Sequence, residues 1–213
     1  MRVLDRAEGR HGELVLRGDG RDFEIISGGV FLMDTRDGRS ERLLAREALR
    51  GAAWPARLLV GGLGVGFTLA EALRSPAVAR LTVVEVEPAV IAWHRSHLRA
   101  VGGDALADPR VTVARAELGD WLARSGERFD AICLDVDNGP GWTLGPGNRR
   151  LYTAAGVAVL RRRLARGGIL TVWSAAADDA FRARLRRRFA TVEAVQVRVG
   201  RGAPDVVYVA RDG

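Results

Sequence analysis

Apolar and polar positions change rhythm along the chain, and the change divides it in two. Through the first 50 residues the apolar runs are short. Glu13-Leu14-Val15-Leu16 and Phe23-Glu24-Ile25-Ile26 flank Gly18-Asp19-Gly20, which predicts two strands around a turn. Gly28-Gly29 then turns into Val30-Phe31-Leu32-Met33, a third short strand. Asp34 to Arg39 carry turn residues. Ser40 stands where it can cap a helix running through Leu49, with Leu43, Leu44 and Leu49 among its apolar positions. Residues 1–50 are thus expected to form a small β appendage with a lead-in helix, and residues 51–213 the main domain.

From Arg57 onward strand and helix patterns alternate. Leu58-Leu59-Val60 predicts a strand, Gly61 to Gly66 a glycine-rich turn, Phe67 to Arg74 a helix, and Leu81 to Val86 a second strand. Pro88 opens a helix at a first-turn position, with Val90, Ile91 and Leu98 inward. Val111 to Val113 is a third strand, followed by Glu117 and a short helix carrying Trp121 and Leu122. Phe129 to Asp135 is almost continuously apolar, as a strand covered by helices on both faces should be. A polar loop spans Asp137 to Asn148. A helix follows from Leu151 to Leu164, closed by Gly167-Gly168, and then a fifth strand, Ile169 to Trp173. A basic helix from Asp178 to Phe189 leads to a strand, Val192 to Val199, and after a turn containing Gly and Pro to another, Val206 to Ala210. Strands joined by so short a turn must be antiparallel neighbours, because a parallel crossover needs about a dozen residues or more. The expected fold is α/β and Rossmann-like: a seven-stranded, mostly parallel sheet with an antiparallel C-terminal hairpin. That combination resembles the class I S-adenosylmethionine-dependent methyltransferase fold.

The stretch from Arg57 to Glu87 carries the clearest chemistry. Glycines at 62, 64 and 66 let backbone pass close to a ligand, and Glu85, 23 residues past Gly62, waits near the end of the second strand for ribose hydroxyls. Glycines also make ordinary tight turns; the apolar strand before them, the amphipathic helix after them and the spacing of the acid favour a nucleotide. Asp135, at the end of the fourth strand, sits where open α/β sheets hold ligands.

Composition narrows the partners. The chain has 213 residues, 47% hydrophobic and 28% charged, enough for one domain with a full core. It has no apolar run long enough to span a bilayer and no signal-peptide pattern at Met1, so a cytoplasmic location without a membrane is expected. The single cysteine, Cys133, lies in an apolar strand and reads as core. A net charge of +7 suggests nucleic acid, yet all 33 basic residues are arginine in a chain rich in Ala, Gly and Val, which is what a GC-rich genome produces. The runs Arg161-Arg162-Arg163 and Arg182 to Arg188 are read as solvated helix faces, and nucleic acid is not an expected partner. His94 and His97, at i and i+3, have no third ligand with suitable spacing, so no metal is expected, and His11 has no evident partner. Neither a Gly-x-Ser-x-Gly elbow nor a phosphate-binding Gly-Lys-Ser/Thr loop occurs.

Over nearly its full length the chain resembles the spermidine synthase (polyamine aminopropyltransferase) family. The residues that carry the resemblance are Gly29-Val30-Phe31-Leu32, Ser40-Glu41-Arg42, Leu59 to Gly66, Val84-Glu85-Val86-Glu87, Asp108-Pro109-Arg110-Val111, Phe129 to Ile132 with Asp135, Leu151-Tyr152, and Gly167 to Leu170. Val60 adds a detail: an aliphatic residue stands where ordinary methyltransferases carry an acid. The resemblance implies that Gly62, Gly64, Gly66, Glu85 and Glu117 bind S-adenosylmethionine or its decarboxylated form as co-substrate. Glu117 takes the place of an adenine-contacting Asp; its alternative reading is a helix-start acid favoured by the dipole. Asp135 aligns with the catalytic Asp, and Asp137 is its candidate companion, because the second acid three residues on is Asn138 here. Asn138 and Trp142 are acceptor-site candidates, Trp142 alternatively core.

Other family positions differ. The acid of the glycine loop falls at Val65, the Tyr-Gln pair at Glu41-Arg42, and the substrate-facing tyrosine past Leu151 at Gly156. The resemblance implies aminopropyl transfer to a small-molecule amine, and a homodimer. Methyl transfer to another acceptor and a non-catalytic nucleoside-binding scaffold are the alternatives that the changed positions favour.

Overall fold

The computed structural model describes residues 1–200 and 203–212; Arg201 and Gly202, in the expected turn before the last strand, lie outside the described residues. The first four strands are β1 (Arg2–Gly9), β2 (Gly12–Gly18), β3 (Phe23–Ser27) and β4 (Val30–Asp34), an antiparallel meander in that order. Phe23, Ile25 and Ser27 are buried at alternate positions of β3, as the period of a strand requires. The sequence reading omitted β1, whose Arg-Val-Leu-Asp-Arg-Ala-Glu-Gly shows no apolar alternation. It is a strand because β2 supplies its pairing, from Arg2↔Gly18 to Gly9↔Gly12.

Helix α1 (Arg39–Leu49) follows, and it lies on the large sheet, against strands of that sheet and the helix after its first strand. Its N-cap is Gly38, with no side-chain cap; Ser40, expected to cap, is buried inside the first turn and turned elsewhere. Then come β5 (Ala56–Gly61), α2 (Phe67–Leu73), β6 (Val78–Glu85), α3 (Pro88–His94), α4 (Arg99–Gly102), β7 (Val111–Arg115), α5 (Leu118–Arg124) and β8 (Phe129–Leu134). The last elements are α6 (Pro146–Leu151), α7 (Ala154–Arg163), β9 (Leu164–Ser174), α8 (Asp179–Arg186), β10 (Thr191–Val197) and β11 (Asp205–Arg211). No helix among the described residues is long and apolar enough to cross a membrane.

Two boundaries moved for local reasons. The helix expected from Leu151 is split, because the Thr153 side chain accepts the Gly156 N–H at 3.1 Å and caps α7 anew, while α6 takes up the end of the expected loop. Gly167-Gly168 does not close the helix. Both lie within β9, where the register jumps from Phe129↔Leu164 to Ala131↔Ile169 and Gly167 has φ of 72°.

The large sheet runs β10-β11-β9-β8-β5-β6-β7. The expected seven strands are present: β5, β6, β7, β8 and β9 pair in parallel, and β11 slots antiparallel between β9 and β10. One face packs on α1, α2, α3 and the inner side of the small sheet, through Leu14, Leu16, Ile25, Leu44, Leu58 and Leu69. The other packs on α5 to α8, through Leu118, Leu122, Val157, Leu160, Phe181 and Leu185. From β5 the chain winds one way to β6 and β7, then returns to β8 on β5's other side. Such a reversal leaves a crevice at the carboxyl ends of the strands.

Candidate active site

A cleft of about 800 Å³ opens at that reversal. Its floor holds Gly62 and Gly64 after β5, Glu85 at the end of β6, Glu117 after β7, and Asp135, Asp137 and Asn138 after β8. These are the positions read from the sequence, brought together because the parallel register sets Gly61 beside Val84 on one side and Leu134 on the other. Gly66 does not line the cleft: with φ of 92° it caps α2, and a side chain there would run into His94.

Glu85 is buried and points into the turn. Its Oε2 accepts the Leu63 N–H at 2.9 Å and its Oε1 the Glu87 N–H at 2.8 Å, so the acid that faces the cleft also ties the glycine turn to β6. Burial raises its pKa, and these amides oppose the rise. His94 supports the turn from below, its Nε2 lying 2.9 Å from the Gly64 carbonyl oxygen; burial lowers its pKa and favours the neutral ring. His97 is exposed, so the two histidines share no site. Among the described residues no group of three or more His, Cys, Asp or Glu side chains is placed to hold a metal ion. Cys133 is fully buried and its thiol is pushed up to about 12, which makes it core.

Gly62 has φ of 88°, and a Cβ there would stand 2.0 Å from the Asp135 carbonyl oxygen. Gly62→Ala is expected to destabilise the fold by about 1–3 kcal/mol or more through strain alone, read as a lowered urea midpoint. An unchanged midpoint would contradict the close approach of the β5 and β8 ends.

Glu117 is the N-cap of α5, accepting N–H groups of Gly119 at 3.1 Å and Asp120 at 2.9 Å. It also walls the cleft, so the two readings of this residue describe one side chain. Asp137, at φ of 52°, fastens the following loop: its Oδ2 accepts the Leu144 N–H and the Asn148 amide, both at 2.9 Å. Trp142 is 40% exposed and lines no part of the cleft, so it is neither an acceptor wall nor core. Val65 is fully buried; Gly62 and Gly64 are the turn residues that face the cleft, with Met33 of β4 against Gly64.

The sequence reading missed the far end. Asp135 Oδ2 accepts the Thr68 hydroxyl at 2.7 Å, and two further acids share its surroundings, Glu41 from α1 and Asp205 from the start of β11. The Ser40 hydroxyl lies 2.7 Å from Asp205 Oδ2 and 2.9 Å from Glu41 Oε2. One hydroxyl carries one proton, so both short contacts form only when one of the carboxyls is itself protonated. Burial, and then the charge of Asp135, push Glu41 up to about 7; burial, and then Asp205, push Asp135 up to about 6; burial also raises Asp205. No arginine forms a salt bridge to any of the three among the described residues. Three half-buried to buried acids without a cation favour either retained protons or a positively charged ligand. Glu41 stood in the sequence within the Ser40-Glu41-Arg42 motif and as a departure from a Tyr-Gln pair, not as a site acid, and the signal for Asp205 was absent, 165 residues from its Ser40 partner.

The small sheet roofs the cleft. At the β1–β2 turn the Arg10 N–H donates to Glu87 Oε1 at 2.9 Å, and the His11 ring lies against Gly145 on the opposite rim. His11 therefore has the neighbours that sequence alone could not name.

Fold and cleft together define a class I methyltransferase-like domain whose cleft is roofed by an N-terminal β sheet. The chain belongs to the spermine/spermidine synthase family: residues 42–177 match the family profile described as "Spermine/spermidine synthase domain". Among curated relatives, polyamine aminopropyltransferase 2 of Ralstonia nicotianae is 33% identical over 132 residues, 61% of this chain and 24% of that protein. Polyamine aminopropyltransferase of Mycobacterium tuberculosis is 33% identical over 164 residues, 75% of this chain and 30% of that protein. The chain thus spans about a quarter to a third of the length of these relatives. Among solved structures, a spermidine synthase in complex with the transition-state analogue AdoDATO superposes with a TM-score of 0.83 at 19% identity, covering 100% of this chain and 74% of that one. Spermidine synthase from Thermotoga maritima gives 0.81 at 18%, covering 100% and 73%. At these identities the superpositions establish the fold.

Proposed function

We propose that this chain is an aminopropyltransferase: it binds decarboxylated S-adenosylmethionine along the Gly62–Glu85–Glu117 floor and transfers its aminopropyl group to a cationic amine held at the Glu41–Asp135–Asp205 end. The observation that carries the reading is the pairing of a ribose-type acid at one end of a single cleft with three cation-free carboxyls at the other. An acceptor with two or more ammonium groups needs several carboxylates around it. Glu41 and Asp205 supply charge that the sequence reading found missing from the glycine loop.

The chemistry assigned to the site is a displacement. The acceptor nitrogen, once deprotonated, attacks the carbon beside the sulfonium, the C–S bond breaks, and its electron pair neutralises the sulfur to give methylthioadenosine. The proton that leaves the ammonium goes to the Asp135 carboxylate, a base with an acceptable pKa near 6. Incubation with putrescine and decarboxylated S-adenosylmethionine should yield spermidine and methylthioadenosine. Turnover of S-adenosylmethionine to S-adenosylhomocysteine instead would replace this reading by methyl transfer, and failure of both nucleosides to bind would remove both readings.

The raised carboxyls make acceptor binding depend on pH. In the unfolded chain they titrate near about 4, whereas in the fold Glu41 and Asp135 keep protons to about 7 and about 6. The unliganded protein therefore loses their contribution to stability as pH rises through that interval. A bound diamine favours the ionised forms, so its affinity should rise between pH 5.5 and 7.5, roughly the window these shifts set, with protons released on binding. Calorimetry in buffers of different ionisation enthalpy measures the release; a buffer-independent heat at pH 6.5 would exclude Glu41 and Asp135 from the acceptor site.

A further inference from the structure

The positive charge of this chain is unevenly placed. Residues 146–190 carry eleven arginines and two acids, whereas the other 168 residues carry 22 arginines and 24 acids. A general compositional bias would spread the excess; here one segment holds all of it, and the remainder is slightly acidic. That segment is α6, α7, β9 and α8; α6 packs on α7 and α7 on α8, and the three helices lie on the sheet face opposite α1 to α3.

The fold then concentrates the charge at one end. β9 begins at Leu164, paired with Phe129 at the start of β8, and α8 ends at Arg186, shortly before β10 starts at Thr191. The runs Arg161 to Arg163 and Arg186 to Arg188, with Arg166 in the β9 bulge, therefore share the amino end of the sheet, remote from the cleft at its carboxyl end. Arg161 is engaged by Asp212 at 2.8 Å, and Arg163 donates to the Leu122 carbonyl at 2.9 Å. Arg162, Arg166, Arg186, Arg187 and Arg188 are exposed and have no acid partner among the described residues. The nearby acids are Glu127 in the loop before β8, Asp130 on β8, which Arg57 engages, Asp120 on α5 and Glu193 on β10, and Asp178 and Asp179 sit at the far, N-terminal end of α8.

We infer that this end of the molecule docks on the phosphate backbone of duplex nucleic acid. Guanidinium forks match phosphate oxygens in pairs. The large exposed apolar side chains, Met1, Val3, Val30, Phe31, Trp54 and Trp142, all lie outside the segment, so it has no apolar anchor for a lipid surface. Its aromatics are not exposed either, which removes the stacking platform that single strands need. The contact reads backbone charge rather than sequence. This inference stands independently of the reaction assigned to the cleft.

Fluorescence anisotropy of a labelled 30-base-pair duplex tests it on the full chain. The wild type should bind at about 50 mM salt and weaken steeply by about 200 mM. R162Q/R166Q/R186Q/R187Q/R188Q should lose at least tenfold in affinity, with the salt slope reduced by roughly four to five. A control, R2Q/R6Q/R21Q/R95Q/R115Q, removes equal charge away from the amino end of the sheet and should bind like the wild type; circular dichroism checks that both variants fold. Equal loss in both variants would mean bulk charge alone, and would overturn the inference. So would no duplex binding by the wild type, or binding to phosphatidylserine-containing phosphatidylcholine vesicles but not to duplex.

Discussion

Asp135→Asn should leave nucleoside binding intact and lower kcat by about two to four orders of magnitude, the usual contribution of a positioned general base. Asn keeps the shape and can still accept the Thr68 hydroxyl that holds Asp135 at 2.7 Å, so geometry is preserved while the proton acceptor is lost. The substitution also removes a buried charge that has no cation beside it. Thermal stability near neutral pH should therefore equal or exceed that of the wild type, the opposite of what loss of a structural acid would give. A second consequence concerns Glu41, whose pKa is raised by burial and then by the Asp135 charge. In the variant the onset of acceptor binding should move to lower pH. Full activity, or a large fall in melting temperature, would deprive Asp135 of the assigned role.

Glu85→Gln is expected to act on the other substrate. Each hydrogen bond from a hydroxyl to a carboxylate contributes about 1.5–3 kcal/mol, so if Glu85 holds two ribose hydroxyls as proposed, losing its charge should weaken methylthioadenosine binding about a hundredfold or more. The fold should suffer as well. Both carboxylate oxygens accept backbone N–H groups, from Leu63 and Glu87, and an amide NH₂ in place of one oxygen sets donor against donor. An orphaned buried N–H costs about 1–3 kcal/mol, so the melting temperature should fall together with affinity. Titration calorimetry and a thermal melt on one preparation separate the two effects. Unaltered nucleoside affinity would mean that Glu85 serves only to tie the glycine turn to β6.

The two substitutions also mark how far the amino-acid order could be read. Glu85 and Asp135 were legible because each ends an apolar strand, and a strand's end fixes where its last side chain stands. Asp137 was assigned to catalysis alongside Asp135, yet its Oδ2 holds Leu144 and Asn148, a loop fastening that no pattern announces. Trp142 was read as an acceptor-site candidate and lies outside the cleft wall. Glu41 looked like the loss of an aromatic-amide pair, although the fold sets it among the acids of the cleft.

The order of strands, turns and helices was written in periodicity: alternation in β3, a continuous apolar run in β8, glycines where backbone passes within 2.0 Å of where a side chain would stand. Those signals are local, and local sterics and burial suffice to express them. What required the folded chain was everything set by contacts distant in sequence. β1 exists through its pairing with β2, β11 lies between β9 and β10, Ser40 meets Asp205 across 165 residues, and arginines from separate helices gather at one edge. Register and helix packing decide such meetings, and neither is encoded within any short window of residues.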